Sequence, residues 1–329
     1  MKLGFTWALL SLLAGQGWAD TRTIGAEECR RNSQPWQAGL FYRTRLFCGA
    51  TLISDRWLLT AAHCRKPRYL WVRLGEHHLW RWEGPEQLFR VTDFFPHSGF
   101  NEDLSANDHN DDIMLIRLPR RAHLGPAVQP LNLSQSYVSP GTQCLISGWG
   151  AVSSPKVRYP LTLQCANISI LDTKLCHWAY PGHISDSMIC AGLWEGGRGS
   201  CQGDSGGPLV CNGTLAGVVS GGAEPCSRPR RPSVYTSVRH YVDWIRKTIE
   251  EKLSPHAKED CERRVDADQE LLQGSSLNGL RLDLQPCWRL SPGRSGCAPS
   301  GSASALNRDV ATPPRSCAGT RLRPSRPYL

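Results

Sequence analysis

Ser205 lies at the centre of Ser200-Cys201-Gln202-Gly203-Asp204-Ser205-Gly206-Gly207-Pro208-Leu209-Val210. A serine hydroxyl is a weak nucleophile unaided, and a lone serine in a glycine-rich turn is ordinarily a loop residue. Its neighbours suggest more. Gly203 has no side chain to block a tight turn, so its amide and that of Ser205 could converge on one point and bind a developing oxyanion. Asp204, if buried in the same turn, needs a cationic partner, because an unpaired buried charge is heavily penalised. The chemistry on offer is acyl transfer, and it works only if a base and a group that orients the base are supplied from elsewhere.

Gly203-Asp204-Ser205-Gly206-Gly207-Pro208 resembles the nucleophile turn of the trypsin-like and chymotrypsin-like serine proteases. Leu59-Thr60-Ala61-Ala62-His63-Cys64 resembles the histidine motif of that family, and Asp112, in Asn110-Asp111-Asp112-Ile113-Met114-Leu115-Ile116, matches its aspartate. The resemblance implies His63 as general base, Asp112 as the carboxylate that holds its tautomer, and Ser205 as nucleophile. Taken singly, His63 could be a core histidine and Asp112 a solvated charge. The order His, Asp, Ser along one chain favours a triad.

The same resemblance places the primary substrate pocket at Gly199, Ser200, Gly222 and Ser233. Trypsin-like enzymes carry an aspartate six residues before the nucleophile, where this chain has Gly199. An arginine or lysine entering such a pocket would lose its hydration with no charge to meet it. The expectation is chymotrypsin-like cleavage after Tyr, Phe, Leu or Met, with Ser233, where glycine is usual, limiting depth. Gly221 stands where the family usually has tryptophan. It favours the alternative reading, a weakly active or inactive protease-fold binding protein.

These groups need a scaffold and a route out of the cell. Residues 1–19 read as a signal peptide, with Lys2 ahead of a short apolar run ending in Gly17 and Ala19. Residues 20–22 read as a propeptide ending in Arg22, a site for an arginine-cleaving protease. The resemblance implies that the freed amino group of Thr23 pairs with Asp204, although Thr23-Ile24-Gly25-Ala26 departs from the family's usual two aliphatics and two glycines. Over 23–253, short β-rich runs at Trp57 to Thr60, Leu70 to Leu74, Ile113 to Leu118 and Leu215 to Ser220 are separated by turns, which predicts an all-β domain. Helical spacing of Tyr241, Trp244, Ile245, Thr248 and Ile249 predicts one closing helix. The resemblance implies two antiparallel six-stranded Greek-key barrels with the active site between them. Residues 254–329, rich in Ser, Pro, Gly and Arg, read as a disordered tail, in which Cys261, Cys287, Cys297 and Cys317 are too unevenly spaced for a zinc site.

Ten cysteines in the protease block suit an oxidised, secreted protein. The family pattern implies Cys29 with Cys165, Cys48 with Cys64, Cys144 with Cys211, Cys176 with Cys190, and Cys201 with Cys226. Many kallikrein-related members have a sixth bridge, where this chain has Tyr137 and Arg239. Ser33-Gln34-Pro35-Trp36-Gln37 and Cys176-His177-Trp178-Ala179-Tyr180-Pro181-Gly182 also look kallikrein-related, and the likeness runs from Met1 to about Trp244.

A net charge of +9 is modest, and the short basic stretches 65–68 and 228–231 lack interleaved aromatics, so nucleic acid is not an expected partner. Glu102, Asp103, Asp108, His109 and Asp111 could overhang the cleft as an acidic loop. Asn132, Asn167 and Asn212 head glycosylation sequons. No cofactor is required for the chemistry. Glu76, Glu83 and Glu86 resemble trypsin's calcium loop and could bind calcium. Expected partners are protein or peptide substrates, the activating protease and serine protease inhibitors. The protein is expected to be a monomer with no membrane span.

Overall fold

The computed structural model describes residues 25–101, 109–152 and 157–253. The expectations for the signal peptide, the propeptide, Thr23, Glu102, Asp103, Asp108 and the tail lie outside the described residues. All described residues belong to the first of two units, which spans Met1–Leu290.

Alternation decides which face of each strand is buried. Along Leu70–Leu74, Leu70, Val72 and Leu74 are fully buried while Trp71 and Arg73 are only partly covered, the period-two pattern of a strand with one face on a core. Numbered in chain order, the first barrel comprises β2 (Gln37–Tyr42), β3 (Arg45–Leu52), β4 (Trp57–Thr60), β5 (Leu70–Leu74), β6 (Gln87–Val91), β7 (Asp93–Pro96) and β8 (Met114–Arg117). The order is β6-β5-β2-β3-β4-β8-β7, every pairing antiparallel. Only Thr92 separates β6 from β7, so one strand bends there and pairs with β5 on one side and β8 on the other. Counted as a single strand, it closes a six-stranded barrel.

The second barrel comprises β9 (Gln143–Gly148), β10 (Gln164–Ile170), β11 (Met188–Gly192), β12 (Pro208–Cys211), β13 (Thr214–Gly221) and β14 (Ser233–Ser237), with the two-residue β1 (Glu27–Glu28) added beside β10. Pairing of β10 with β9 as well as β11 closes the ring. The four runs read from the sequence fall on β4, β5, β8 and β13. The expected closing helix is α2 (Val238–Glu251), which buries Val238, Tyr241, Val242, Ile245 and Ile249 in the core of the first barrel. It follows β14 directly, so it straps one barrel to the other. A second helix, α1 (Thr173–Ala179), is capped by Asp172, whose carboxylate accepts the Lys174 amide at 2.7 Å. Its seven residues are too few for helical periodicity to stand out.

Five disulfides join Cys29–Cys165, Cys48–Cys64, Cys144–Cys211, Cys176–Cys190 and Cys201–Cys226, the same pairing that the resemblance implies. Tyr137 and Arg239 still meet: the guanidinium carbon lies 5.7 Å from the ring centroid. With Tyr137 66% exposed, that contact contributes only about 0.5–1 kcal/mol. Replacing both by cysteine in the oxidised protein is expected to stabilise it by roughly 2–4 kcal/mol, through loss of unfolded-state freedom. Thermal melts with and without reductant check this, and no difference from the parent would show that the two backbones cannot form the bridge.

Candidate active site

Register brings the base and its carboxylate together. β4 and β8 run antiparallel with Thr60 opposite Met114, so the residues just past the end of β4 face those just before β8. His63 lies in a single 3-10 turn, Ala62–Cys64, and Cys64 is tied to Cys48 of β3. Asp112 is fully buried. Its Oδ2 is 2.7 Å from His63 Nδ1, and its Oδ1 accepts the His63 backbone N–H at 3.0 Å. The second barrel adds Ser220, whose hydroxyl donates to Asp112 Oδ2 at 2.6 Å. Burial pushes the Asp112 carboxyl up, but hydrogen bonds and charge from His63, together with the Ser220 hydroxyl, hold it below the ordinary carboxylate value. An ionised acceptor at Nδ1 requires the Nδ1–H tautomer, which leaves the Nε2 lone pair available as a base.

The Ser205 turn is laid against the end of β4. The Gly49 amide donates to the Ser205 carbonyl at 2.7 Å, Gly206 donates to Val219 at 2.7 Å, and Gly207 closes back on Asp204 at 2.9 Å. Glycine is required at 206, where φ is +78° and a Cβ would lie 2.1 Å from Thr60 Oγ1. The Cys64 sulfur is 3.7 Å from the Ser205 carbonyl oxygen, so the segment that carries His63 and the segment that carries Ser205 touch. Gly203 has φ +98°. Among the described residues, no acceptor takes up the Gly203 or Ser205 amide, which leaves both N–H groups available to an oxyanion.

Asp204 turns the other way, into a small cavity that Ala26, Gly148, Gly150, Gly199 and Val219 help to line. Its carboxylate accepts the Gly150 amide at 2.8 Å and the Cys201 amide at 3.0 Å. Side chains at 148 or 150 would displace it, since a Cβ at either position would stand within 2.3 Å of the carboxylate. Loss of hydration pushes its pKa up to about 6, against the pull of the Cys201 and Gly150 amides. It has no cationic partner among the described residues.

Beside Ser205 is an open pocket whose walls include Ser200, Cys201, Gln202, Gly221 and Gly222, with Glu224 also on its wall. Two of the four pocket residues read from the sequence, Ser200 and Gly222, therefore line it. Gly199 and Ser233 form a layer behind Ser200. The Ser200 amide donates to Ser233 Oγ at 3.1 Å, and a Cβ at Gly199 would lie 3.0 Å from the hydroxyls of both Ser233 and Ser227. This layer is neutral, and the Ser227 hydroxyl is enclosed without a hydrogen-bond partner. Ser220 and Ser227 were not legible from sequence, because serine in a loop or strand carries no signal of its own.

The three glutamates in the 76–86 loop already have partners. Glu76 Oε2 pairs with Arg73 at 3.2 Å, Glu83 with Arg31 at 2.5 Å, and Glu86 accepts the Glu83 and Gly84 amides. Glu76 Oε1 alone is buried without a partner, and burial pushes that carboxyl up, with Glu86 and Glu83 adding repulsion. The one group of potential ligands gathered tightly enough for an ion among the described residues is Cys48, His63 and Cys64. It is a disulfide beside the base. Among the described residues Glu76, Glu83 and Glu86 are not gathered as tightly as that group. Asn132, Asn167 and Asn212 are all exposed, Asn212 in the β12–β13 turn.

Compared with known families, residues 23–245 match the Trypsin family. Human Kallikrein-9 is 87% identical over 250 residues, covering 76% of this chain and all of that protein. Human Kallikrein-11 is 56% identical over 73% of this chain and 85% of its own length. Among solved structures, neuropsin, a serine protease expressed in the limbic system of mouse brain, aligns with a TM-score of 0.66 at 47% identity, over 69% of this chain and 99% of that one.

Proposed function

This chain belongs to the kallikrein subfamily of trypsin-like serine proteases, and from that premise we propose that it is a secreted serine endopeptidase acting through His63, Asp112 and Ser205. The carrying observation is Asp112, buried and held ionised by His63 and Ser220 at the seam of the two barrels. In the proposed reaction Ser205 Oγ attacks the peptide carbonyl as His63 Nε2 takes its proton. The Gly203 and Ser205 amides stabilise the oxyanion, and His63 returns the proton to the departing amine. The resulting acyl-enzyme is then hydrolysed by water with His63 again as base. No cofactor takes part.

Activation follows the same cavity. Ala26 lines the space that Asp204 occupies, and Thr23 is three residues ahead. At about 3.3–3.6 Å per residue of extended chain, an amino terminus made by cleavage after Arg22 reaches the carboxylate. Substrates are protein or peptide chains, the remaining partners are an arginine-cleaving activator and serine protease inhibitors, and the enzyme acts as a monomer. No helix among the described residues is long and apolar enough to cross a membrane.

The neutral layer of Gly199, Ser227 and Ser233 favours cleavage after Tyr, Phe, Leu or Met over cleavage after Arg or Lys. The decisive experiment is a peptide-library profile of the chain cleaved after Arg22. A profile dominated by Arg or Lys would refute this specificity, and no cleavage at all would favour a binding protein on a protease fold. Gly199→Asp is expected to restore part of the cleavage after Arg, raising kcat/KM on arginine substrates roughly tenfold or more, because a charge then meets the guanidinium. Its new carboxylate would stand beside two hydroxyls that can donate to it. Calcium has a separate test. With Glu76 and Glu83 paired to arginines, the melting temperature is expected to be the same in millimolar calcium as in chelator, and a rise would show that the 76–86 loop rearranges round the ion.

A further inference from the structure

Among the described residues only six other than glycine adopt a positive φ, and one of them, Asp111 at +55°, immediately precedes Asp112. Aspartate tolerates that conformation at a cost in free energy, and it persists only where the surroundings hold it. Here they hold it from more than one side. The Tyr241 hydroxyl of α2 donates to Asp111 Oδ1 at 2.6 Å, and His97 Nδ1 lies 3.5 Å from the same oxygen. The 97–100 segment passes close behind, since a Cβ at Gly99 would stand 2.1 Å from Asp111 Oδ2. The Ile113 amide closes back on the Asp111 carbonyl at 2.7 Å, a tight turn with Asp112 at its apex. Asp111, read from the sequence as part of an acidic loop over the cleft, thus turns its carboxylate to the closing helix.

Tyr241 is itself fixed. It is only 2% exposed, and the His97 ring packs edge-on against both Tyr241 and Trp244, at centroid distances of 5.2 and 5.1 Å. Burial and the Asp111 carboxylate push its phenol up, so it stays a neutral donor. The His97 amide also donates to the Ile113 carbonyl at 3.0 Å, and from β14 the Thr236 hydroxyl donates to the Asp112 carbonyl at 2.9 Å. From this geometry we infer that Tyr241 and Asp111 are positioning residues for the triad: the closing helix sets, through the strained residue ahead of Asp112, the angle at which that carboxylate meets His63. The inference rests on the endopeptidase reading above. Neither residue is a member of the triad. A carboxylate-to-imidazole contact of 2.7 Å tolerates little rotation, and a misplacement of about 1 Å can cost about a hundredfold in rate. Without the Tyr241 hydroxyl, Asp111 is free to relax out of the left-handed region and to carry Asp112 with it. The loss then falls on the chemical step and not on substrate binding.

The test uses the full chain cleaved after Arg22. Tyr241→Phe deletes only the hydroxyl and keeps the ring packing; kcat is expected to fall roughly tenfold or more with KM little changed. Asp111→Asn keeps an oxygen that can accept from Tyr241 and tolerates positive φ, so it should retain most of kcat. Asp111→Ala has neither property and should lose as much as Tyr241→Phe. The double variant of Tyr241→Phe with Asp111→Ala should be no slower than either alone, because the two residues act as one unit. Proton NMR supplies a readout independent of turnover: the resonance of the proton between His63 Nδ1 and Asp112 should move in Tyr241→Phe and stay near the parental position in Asp111→Asn. Should Tyr241→Phe fail to fold, Asp111→Asn against Asp111→Ala makes the same comparison. Unchanged kcat in Tyr241→Phe and Asp111→Ala, losses that multiply in the double variant, or an unmoved His63–Asp112 proton would overturn the positioning role and leave the endopeptidase reading standing. Absence of any cleavage by the parent chain would overturn both.

Discussion

Ser205→Ala is expected to lower kcat/KM for peptide hydrolysis by roughly 10⁴–10⁶-fold, with little change in secretion or melting temperature. The substitution removes one oxygen, and the turn does not depend on it. Its backbone is fastened through the Ser205 carbonyl to Gly49, through Gly206 to Val219, and through Gly207 to Asp204. The Gly203 and Ser205 amides remain in place in the variant, so substrate and inhibitor binding should survive better than turnover. Hydrolysis by the alanine variant at the rate of the parent would remove Ser205 from the nucleophile's role. Loss of the folded protein would instead give the hydroxyl a structural part.

The second large effect is expected at the bond after Arg22. Uncleaved chain should be inert, cleavage should raise kcat/KM by several orders of magnitude, and Arg22→Gln should stay silent when exposed to an arginine-cleaving protease. The physical cause is Asp204, whose pKa, pushed up to about 6 by lost hydration, shows the cost of keeping that carboxylate charged without a partner. An ammonium at Thr23 would reverse the shift. The two forms should then differ in their response to pH. With Asp204 raised above its unfolded value of 3.8, the uncleaved protein has the associated stability in full below about pH 4 and loses it as pH rises through about 6. The cleaved protein, its carboxylate paired and its pKa depressed, should lack that loss. Melting curves for both forms between pH 4 and 7.5 measure the difference. Equal activity of cleaved and uncleaved chains, or parallel melting curves, would exclude an ion pair at Asp204 as the switch.

Much of the site could be read from local sequence, because much of its chemistry is written in local backbone geometry. Gly203, Gly206 and Gly207 surround Ser205 since the turn needs left-handed φ at 203 and 206, and at 207 a Cβ would lie 2.8 Å from the Asp204 carbonyl oxygen. The cysteine beside His63 marks a bridge that pins a single short turn. Strands β4, β5, β8 and β13 announced themselves by apolar runs between turns, and α2 by its period. In contrast, α1 was too short to show one, and the bend at Thr92 that joins β6 to β7 depends on two partners far apart in the chain.

The nucleophile turn, the order of His63, Asp112 and Ser205, the missing charge at Gly199 and the missing side chain at Gly221 were determined by the sequence alone, since each is a matter of which atoms the chain possesses. Only the tertiary structure decided that Ser220, 108 residues from Asp112, donates to it. It also decided that Ser227 and Ser233 flank Gly199, that two arginines occupy the glutamates of the 76–86 loop, and that Gly221 opens onto a cleft walled by α1's neighbours and β14. A missing atom can be seen in one position of the chain. What fills or leaves open the space around it depends on residues of common type that become neighbours only when both barrels close, so their roles have no local signature.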